Sequence, residues 1–74
     1  MNFHSCIQSA GRGRLNLVQF MMNDKIVELI VNDRTPLETD NMESVLRQLY
    51  VPNYRVNRVT RYGFNKYSVM LEKI

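Results

Sequence analysis

An apolar stripe that ends at a proline constrains the fold of this chain more than any other feature of its sequence. The stripe consists of Met42, Val45, Leu46 and Leu49. Their i, i+3, i+4 and i+7 spacing predicts an amphipathic helix. Asp40 and Glu43 occupy the N-cap and the third position of a capping box. We expect Pro52 to end the helix, because the residue before a proline is pushed out of the helical region.

Segments rich in alternating apolar residues on both sides of this helix predict β-strands. They span residues 14–22, 25–32, 54–62 and 67–71. Asn23 and Asp24 separate the first two strands and suit a type I′ hairpin turn, since both residue types tolerate positive φ. In the second strand we expect Val27, Leu29 and Val31 to face the core, because a single helix covers one face of a sheet.

Two isoleucines of the second strand point away from that core in this pattern. Ile26 and Ile30 are therefore expected to be partly exposed, either under the N-terminal arm or in an interface. The arm is the preferred cover.

The third strand contains an irregularity in its apolar spacing. Val56 and Val59 are three residues apart, whereas a regular strand repeats every two residues. A bulge near Asn57 and Arg58 would turn both valines inward and redirect an arginine. We expect Arg55 to lie on the opposite side of this strand from Arg58.

These elements predict an α+β fold in which one helix packs across a small antiparallel sheet, in the order β-β-α-β-β. The length of 74 residues, 45% of them hydrophobic and 23% charged, suits one small globular domain. Residues 14–74 are expected to form it. Residues 1–13 are expected to be a flexible arm or a short edge strand.

Composition argues against a membrane or secreted protein. No apolar run approaches the roughly 20 residues that cross a bilayer, and the N-terminus lacks the charged and apolar regions of a signal peptide. Cys6 is the single cysteine, so it cannot form an internal disulfide, which favours a reducing compartment. We expect a cytoplasmic protein.

Catalysis and metal binding have little support in the sequence. The chain has one histidine, His4, and one cysteine, Cys6. A zinc site takes three or four ligands, and a nucleophilic pair takes an orienting third group. We therefore expect a buried thiol, a solvated imidazole, no metal, no cofactor and no enzymatic activity.

Charge is distributed unevenly along the chain. Residues 24–43 carry six acidic and two basic side chains, whereas residues 54–67 carry four basic and no acidic ones. The predicted acidic strip consists of Glu28, Asp33, Glu38, Asp40 and Glu43. The predicted partner-binding residues are Arg58, Arg61, Arg55, Tyr54, Tyr62 and Lys66. Such a dipolar layout steers association with a charged partner.

Two classes of partner suit the basic, tyrosine-rich segment. Arginine beside exposed aromatics is typical of single-stranded nucleic-acid binding, which combines phosphate contacts with base stacking. Arginine and tyrosine are also favoured at protein–protein hot spots. From the residues alone both classes stay open.

The segment from the helix into the third strand resembles a family of phage proteins. It reads Glu43…Leu46…Tyr50-Val51-Pro52-Asn53-Tyr54-Arg55-Val56-Asn57-Arg58-Val59. It is similar to the small phage-encoded inhibitors of host RNA polymerase, the gene-two products of T-odd coliphages. In them Tyr-Val-Pro, an aromatic residue and Val-x-Arg-Val follow an acidic amphipathic helix. The likeness covers about residues 38–60.

This resemblance implies a function and a site. In that family two arginines on the strand after the helix contact the polymerase, supported by an acidic strip. Arg58 matches the first arginine, whereas the second position is occupied by Thr60, with Arg61 adjacent. This chain also adds a C-terminal strand. The implied function is a small host-directed inhibitor of RNA polymerase, or of another nucleic-acid-handling host enzyme or defence complex. The alternative is a nucleic-acid-binding module that uses the basic C-terminal hairpin.

Overall fold

The computed structural model describes residues 2–34 and 42–74, which form an α+β fold. The elements are α1 (Phe3–Gly11), β1 (Leu15–Asn23), β2 (Ile26–Asp33), α2 (Met42–Arg47), β3 (Tyr54–Arg61) and β4 (Lys66–Lys73). The strands form one antiparallel sheet in the order β1-β2-β4-β3. The antiparallel α+β class and the β-β-α-β-β succession from β1 onward are thus confirmed.

The structure places a helix where the sequence predicted a flexible arm or a short edge strand. Asn2 is the N-cap of α1, and its Oδ1 accepts a hydrogen bond from the backbone N–H of Ser5 at 2.8 Å. Arg12 ends the helix in the left-handed region with φ 52°. The apolar stripe of α1 has the same spacing as that of α2. It consists of Phe3, Cys6, Ile7 and Ala10.

A glycine allows α1 to lie close against the strand that follows it. A Cβ on Gly11 would stand 2.5 Å from Cγ of Leu15, well inside van der Waals contact. Leu15 is itself 1% exposed. Gly11, the last residue of α1, therefore forms a tight junction between the helix and β1.

Both helices pack on the same face of the sheet, which we call the core face. Val27, Leu29 and Val31 point to this face and are 1% exposed or less, as predicted. The remaining buried apolar residues are Cys6, Ile7, Leu15, Met42, Leu46, Leu49, Val51, Tyr67, Val69 and Leu71. The sequence predicted one helix on this face, and α1 is the second.

Helix α2 ends earlier than predicted. It stops at Arg47, and the backbone N–H of Leu49 donates to Leu46 O at 3.1 Å, an i to i−3 bond that tightens the last turn. Leu49 and Val51 nevertheless stay buried. The expectation that the helix runs to Pro52 is therefore wrong, although the apolar stripe reaches the core as predicted. The N-cap role predicted for Asp40 lies outside the described residues.

The β1–β2 turn lies one residue later than predicted. Asn23 pairs with Ile26, so Asp24 and Lys25 form the two-residue loop. Asp24 has φ 57°, whereas Lys25 does not have a positive φ. A type I′ turn takes positive φ at both positions, so this turn is of a different type.

The predicted bulge in β3 is confirmed. The register shifts between Val56 and Arg58, and the two valines pair with Leu71 and Val69, both of which face the core. A second irregularity, between Leu17 and Gln19 of β1, was not predicted.

The helices within the described ranges include none that is long and apolar enough to span a membrane.

The stripe on α2 makes Leu46→Asp a direct test of this fold. Leu46 is 0% exposed, and an unpaired buried charge costs about 3–5 kcal/mol. The total stability of a small domain is about 5 kcal/mol, so we expect the variant to be unfolded by circular dichroism. Ser44→Asp, on the exposed side of the same helix, is the control and should melt cooperatively near the parent's temperature. A cooperative parent-like melt of Leu46→Asp would contradict the orientation of α2.

Candidate functional site

The strand residues that point away from α1 and α2 form a second surface, which we call the open face. Its members are half-buried or exposed, and burial alternates with the core face along β2 and through residues 66–72 of β4. They are Asn16, Gln19, Met21, Asn23, Ile26, Glu28, Ile30, Asn32, Arg55, Arg58, Thr60, Lys66, Ser68, Met70 and Glu72.

The middle of the open face is apolar. Ile26, Ile30 and Met70 are half-buried there. The partial exposure expected for the two isoleucines is thus confirmed. The N-terminal segment does not cover them, because Cys6 and Ile7 of α1 pack into the core on the opposite face. A patch of this kind, bordered by polar residues, has the composition of an interaction surface.

The bulge brings two arginines onto the open face. Arg55 pairs with Glu72, and Arg58 pairs with Met70, two residues along β4. Residues two apart in a regular strand share a face, so Arg55 and Arg58 point the same way. The expectation that they lie on opposite sides is wrong, because the extra residue, Asn57, shifts the alternation by one position.

These two arginines differ in their electrostatic surroundings. The Nη2 and Nε atoms of Arg55 donate to Oε1 of Glu72 at 2.8 and 3.1 Å. Arg58 is exposed, and in the described part of the chain no hydrogen bond or ion pair engages its guanidinium. It borders a shallow depression of about 210 Å³ that Asn57 and Met70 also line. Arg58 is therefore a cation available to a partner.

The third arginine of β3 lies on the other face. Arg61 pairs with Tyr67, which is buried on the core face. Its Nη2 donates to the backbone oxygen of Phe64 at 2.9 Å, so it closes the turn between β3 and β4. Lys66 begins β4 on the open face and is exposed.

The predicted tyrosines do not form a platform beside Arg55 and Arg58. Tyr54 is half-buried and stacks edge-on against Phe3 of α1, with ring centroids 5.5 Å apart. Tyr62 follows β3, is 41% exposed, and donates its backbone N–H to Lys66 O at 3.0 Å. The predicted basic and aromatic set is thus divided between two faces and a turn.

The predicted acidic strip is not a continuous surface among the described residues. Glu28 lies on the open face, where its Oε2 accepts a hydrogen bond from Ser68 Oγ at 2.6 Å. Asp33 points to the core face, is 2% exposed and forms an ion pair with Arg14 at 3.0 Å. Glu43 pairs with Arg47 at 2.7 Å on α2. Glu38 and Asp40 lie outside the described residues.

Sequence reasoning missed several members of this surface. The predicted last strand, residues 67–71, contains Ser68 and Met70 without assigning them a role, and Glu72 lies beyond it. Their period-two positions in β4 were available as a signal. Their neighbours on β2 and β3 depend on the register between distant strands, which the bulge alters.

Residues 2–34 and 42–74 do not bring the ligands of a metal site together. No three His, Cys, Asp or Glu side chains in these ranges lie together in a way that could hold a metal ion. Cys6 is buried as predicted, and His4 is exposed, with its Nε2 3.2 Å from Nε2 of Gln8.

No family model, curated protein or solved structure matches this chain.

The Arg14–Asp33 ion pair and the more exposed Arg55–Glu72 pair should differ in their effect on stability. Asp33→Ala removes a buried carboxylate from the partly buried Arg14 guanidinium, and hydrogen bonds to charged groups contribute about 1.5–3 kcal/mol. Glu72→Gln removes an exposed partner of Arg55 and should cost about 1 kcal/mol or less. Urea unfolding of both variants measures the difference. Equal losses would show that Asp33 is a surface residue.

Proposed function

We propose that this protein is a small host-directed inhibitor that docks its open face onto an acidic surface of a larger bacterial protein, with Arg58 as the anchor. The observation that carries the proposal is the exposed Arg58 guanidinium, which no described residue pairs, beside the half-buried Met70. No catalytic chemistry is part of the proposal.

The arrangement of the open face supports a protein partner. Ile30 and Met70 lie diagonally across β2 and β4, so a partner can bury them together. An apolar centre with a polar border and an arginine anchor is the usual composition of an interface hot spot. A guanidinium matches a carboxylate with two parallel hydrogen bonds. An aspartate or glutamate on the partner is therefore the expected contact of Arg58.

The resemblance to phage inhibitors supports bacterial RNA polymerase as the first target to test. Arg58 matches the first of the two family arginines, and Thr60 occupies the second position. Both residues belong to the open face, since they pair with Met70 and Ser68. Arg55 lies on the same face and supplies a second guanidinium there, although Glu72 already holds it.

A nucleic-acid module has weaker support. Single-strand binding combines arginines with exposed aromatic rings on one surface. Here Tyr67 is buried, and Tyr54 packs against Phe3 on the core face, away from Arg55 and Arg58. Glu72 and Glu28 also place carboxylates on the open face, where they would repel phosphates.

The direct test is binding of the tagged chain to purified bacterial RNA polymerase core enzyme, with transcription from a promoter template as the readout of inhibition. Capture from a bacterial lysate, with and without nuclease, covers other host targets. We expect a nuclease-resistant protein partner. Partners that disappear after nuclease treatment would overturn the inhibitor proposal in favour of nucleic acid.

The three arginines of β3 should contribute unequally to binding. Arg58→Ala should weaken binding by about 2 kcal/mol or more, because it also leaves the partner's carboxylate unpaired. Arg55→Ala should cost about 1 kcal/mol or less, since Glu72 already pairs with this guanidinium at the exposed rim. Arg61→Ala is the matched control on the opposite face and should leave affinity unchanged. Calorimetry or surface plasmon resonance with the captured partner measures each loss.

Nucleic-acid binding would give a different pattern of affinity losses among these three variants. If the strand follows phosphates, the three variants should lose similar affinity, and each removal should lower the salt slope of binding by about one. Equal losses together with salt-dependent binding of single-stranded oligonucleotides would contradict the docking site proposed here.

A further inference from the structure

The outer half of β1 is an uncharged edge strand with exposed apolar side chains on both faces. Val18 is 55% exposed, Phe20 49%, Met21 52% and Met22 60%. β1 is the first strand of the sheet order and contains no charged residue from Leu15 to Asn23. The other edge strand, β3, carries three arginines. Charge on an edge discourages strand pairing, and its absence favours it.

The backbone of this segment is arranged to pair with another strand. Asn23 and Ile26 flank the two-residue turn. In such a hairpin the backbone groups of residues 19, 21 and 23 point toward β2, because hydrogen-bonded and non-hydrogen-bonded pairs alternate. Those of Phe20 and Met22 therefore point outward, to the free edge. The irregularity between Leu17 and Gln19 limits the regular stretch to residues 19–23.

We propose that β1 pairs with β1 of a second copy of this chain, antiparallel about a two-fold axis at Met21. In this register Phe20 lies opposite the partner's Met22, and the two pairs of this kind exchange the outward backbone hydrogen bonds. Gln19 lies opposite the partner's Asn23. Met21 faces the partner's Met21 as a non-hydrogen-bonded pair on the open face. The two sheets become one continuous sheet of eight strands.

A second copy suits this edge for reasons of symmetry and charge. Antiparallel pairing of a strand with itself is isologous, so one surface serves both partners. Each chain carries a net charge of +3, so two copies repel each other overall. This repulsion does not act within the paired segment, because residues 19–23 contain no charged side chain. The free edges that remain are both β3, whose arginines oppose further growth, so the assembly closes as a dimer.

The core side of the pairing also buries apolar surface. Phe20 and Met22 point to the core face and line a groove of about 670 Å³, together with Phe3, Pro52 and Tyr54. The partner's Phe20 and the partner's Met22 would lie beside them, so four side chains form one cluster with methionine–aromatic contacts. A five-residue strand pair buries less area than a standard interface, so we expect dissociation in the micromolar to sub-millimolar range.

Analytical ultracentrifugation over a concentration series tests the dimer. The wild-type chain should dimerise reversibly. Met21→Lys places two like charges across the axis and should weaken the dimer at least tenfold without changing the thermal melt, because Met21 is exposed. An equimolar mixture of Met21→Lys and Met21→Glu should dimerise again. Thr60→Lys, an exposed change on the β3 edge, is the matched control and should dimerise like the wild type.

Cross-linking tests the dimer without placing a charge at position 21. In a non-hydrogen-bonded pair the Cα atoms are about 4.5 Å apart, within disulfide range. Met21→Cys should therefore form an intermolecular disulfide when treated with oxidised glutathione, whereas Thr60→Cys should not. The native Cys6 is buried.

Several results would overturn the proposal. They are a wild-type chain that stays monomeric up to about 1 mM, a folded Met21→Lys that dimerises like the wild type, and equal cross-linking of Met21→Cys and Thr60→Cys. Open-ended assembly in place of a dimer would also contradict it, because the pairing uses up the β1 edge.

Discussion

The bulge at Asn57 determines which side chains of β3 point to the core face and which point to the open face. In a regular strand Val56 and Val59 would point in opposite directions, and one of them would leave the core. The extra residue returns Val59 to the core face, opposite Val69. The same shift moves Arg58 onto the open face with Arg55, while Arg61 returns to the core side. Burial of two valines and presentation of two arginines thus have one geometric cause.

Much of this fold follows from periodicity that the sequence displays. The period of two along β2 predicts its buried valines and leucine, and the break between Val56 and Val59 predicts the bulge. Helix α1 has an equally regular stripe from Phe3 to Ala10, but Gly11 and Gly13 directly after the stripe suggest a flexible arm. Gly11 instead serves close contact with Leu15. A glycine needed for close approach and one needed for flexibility look alike in a sequence.

The candidate site was less predictable because its composition depends on pairing between strands far apart in the chain. Glu72 neutralises Arg55 across 17 residues, and Ser68 donates to Glu28 across 40. Asp33 was expected in a surface strip, yet its ion pair with Arg14 joins the last residue of β2 to the residue before β1. Charge counted along a sequence does not say which carboxylates are already occupied by a cation.

The two faces and the two edges of the sheet also differ in how far their groups are already covered or paired within the chain. The two helices cover the core face except near Phe20 and Met22, which stay exposed, and the β3 edge is protected by charge. On the open face no described residue pairs the Arg58 guanidinium, which lies beside apolar side chains, whereas β1 is an edge strand that contains no charged residue. Pairing at the β1 edge lies in the plane of the sheet, so it leaves Arg58 accessible. A dimer formed there would present two open faces on the same side, and a target with two acidic sites at matching spacing would gain from the higher effective concentration of the second contact.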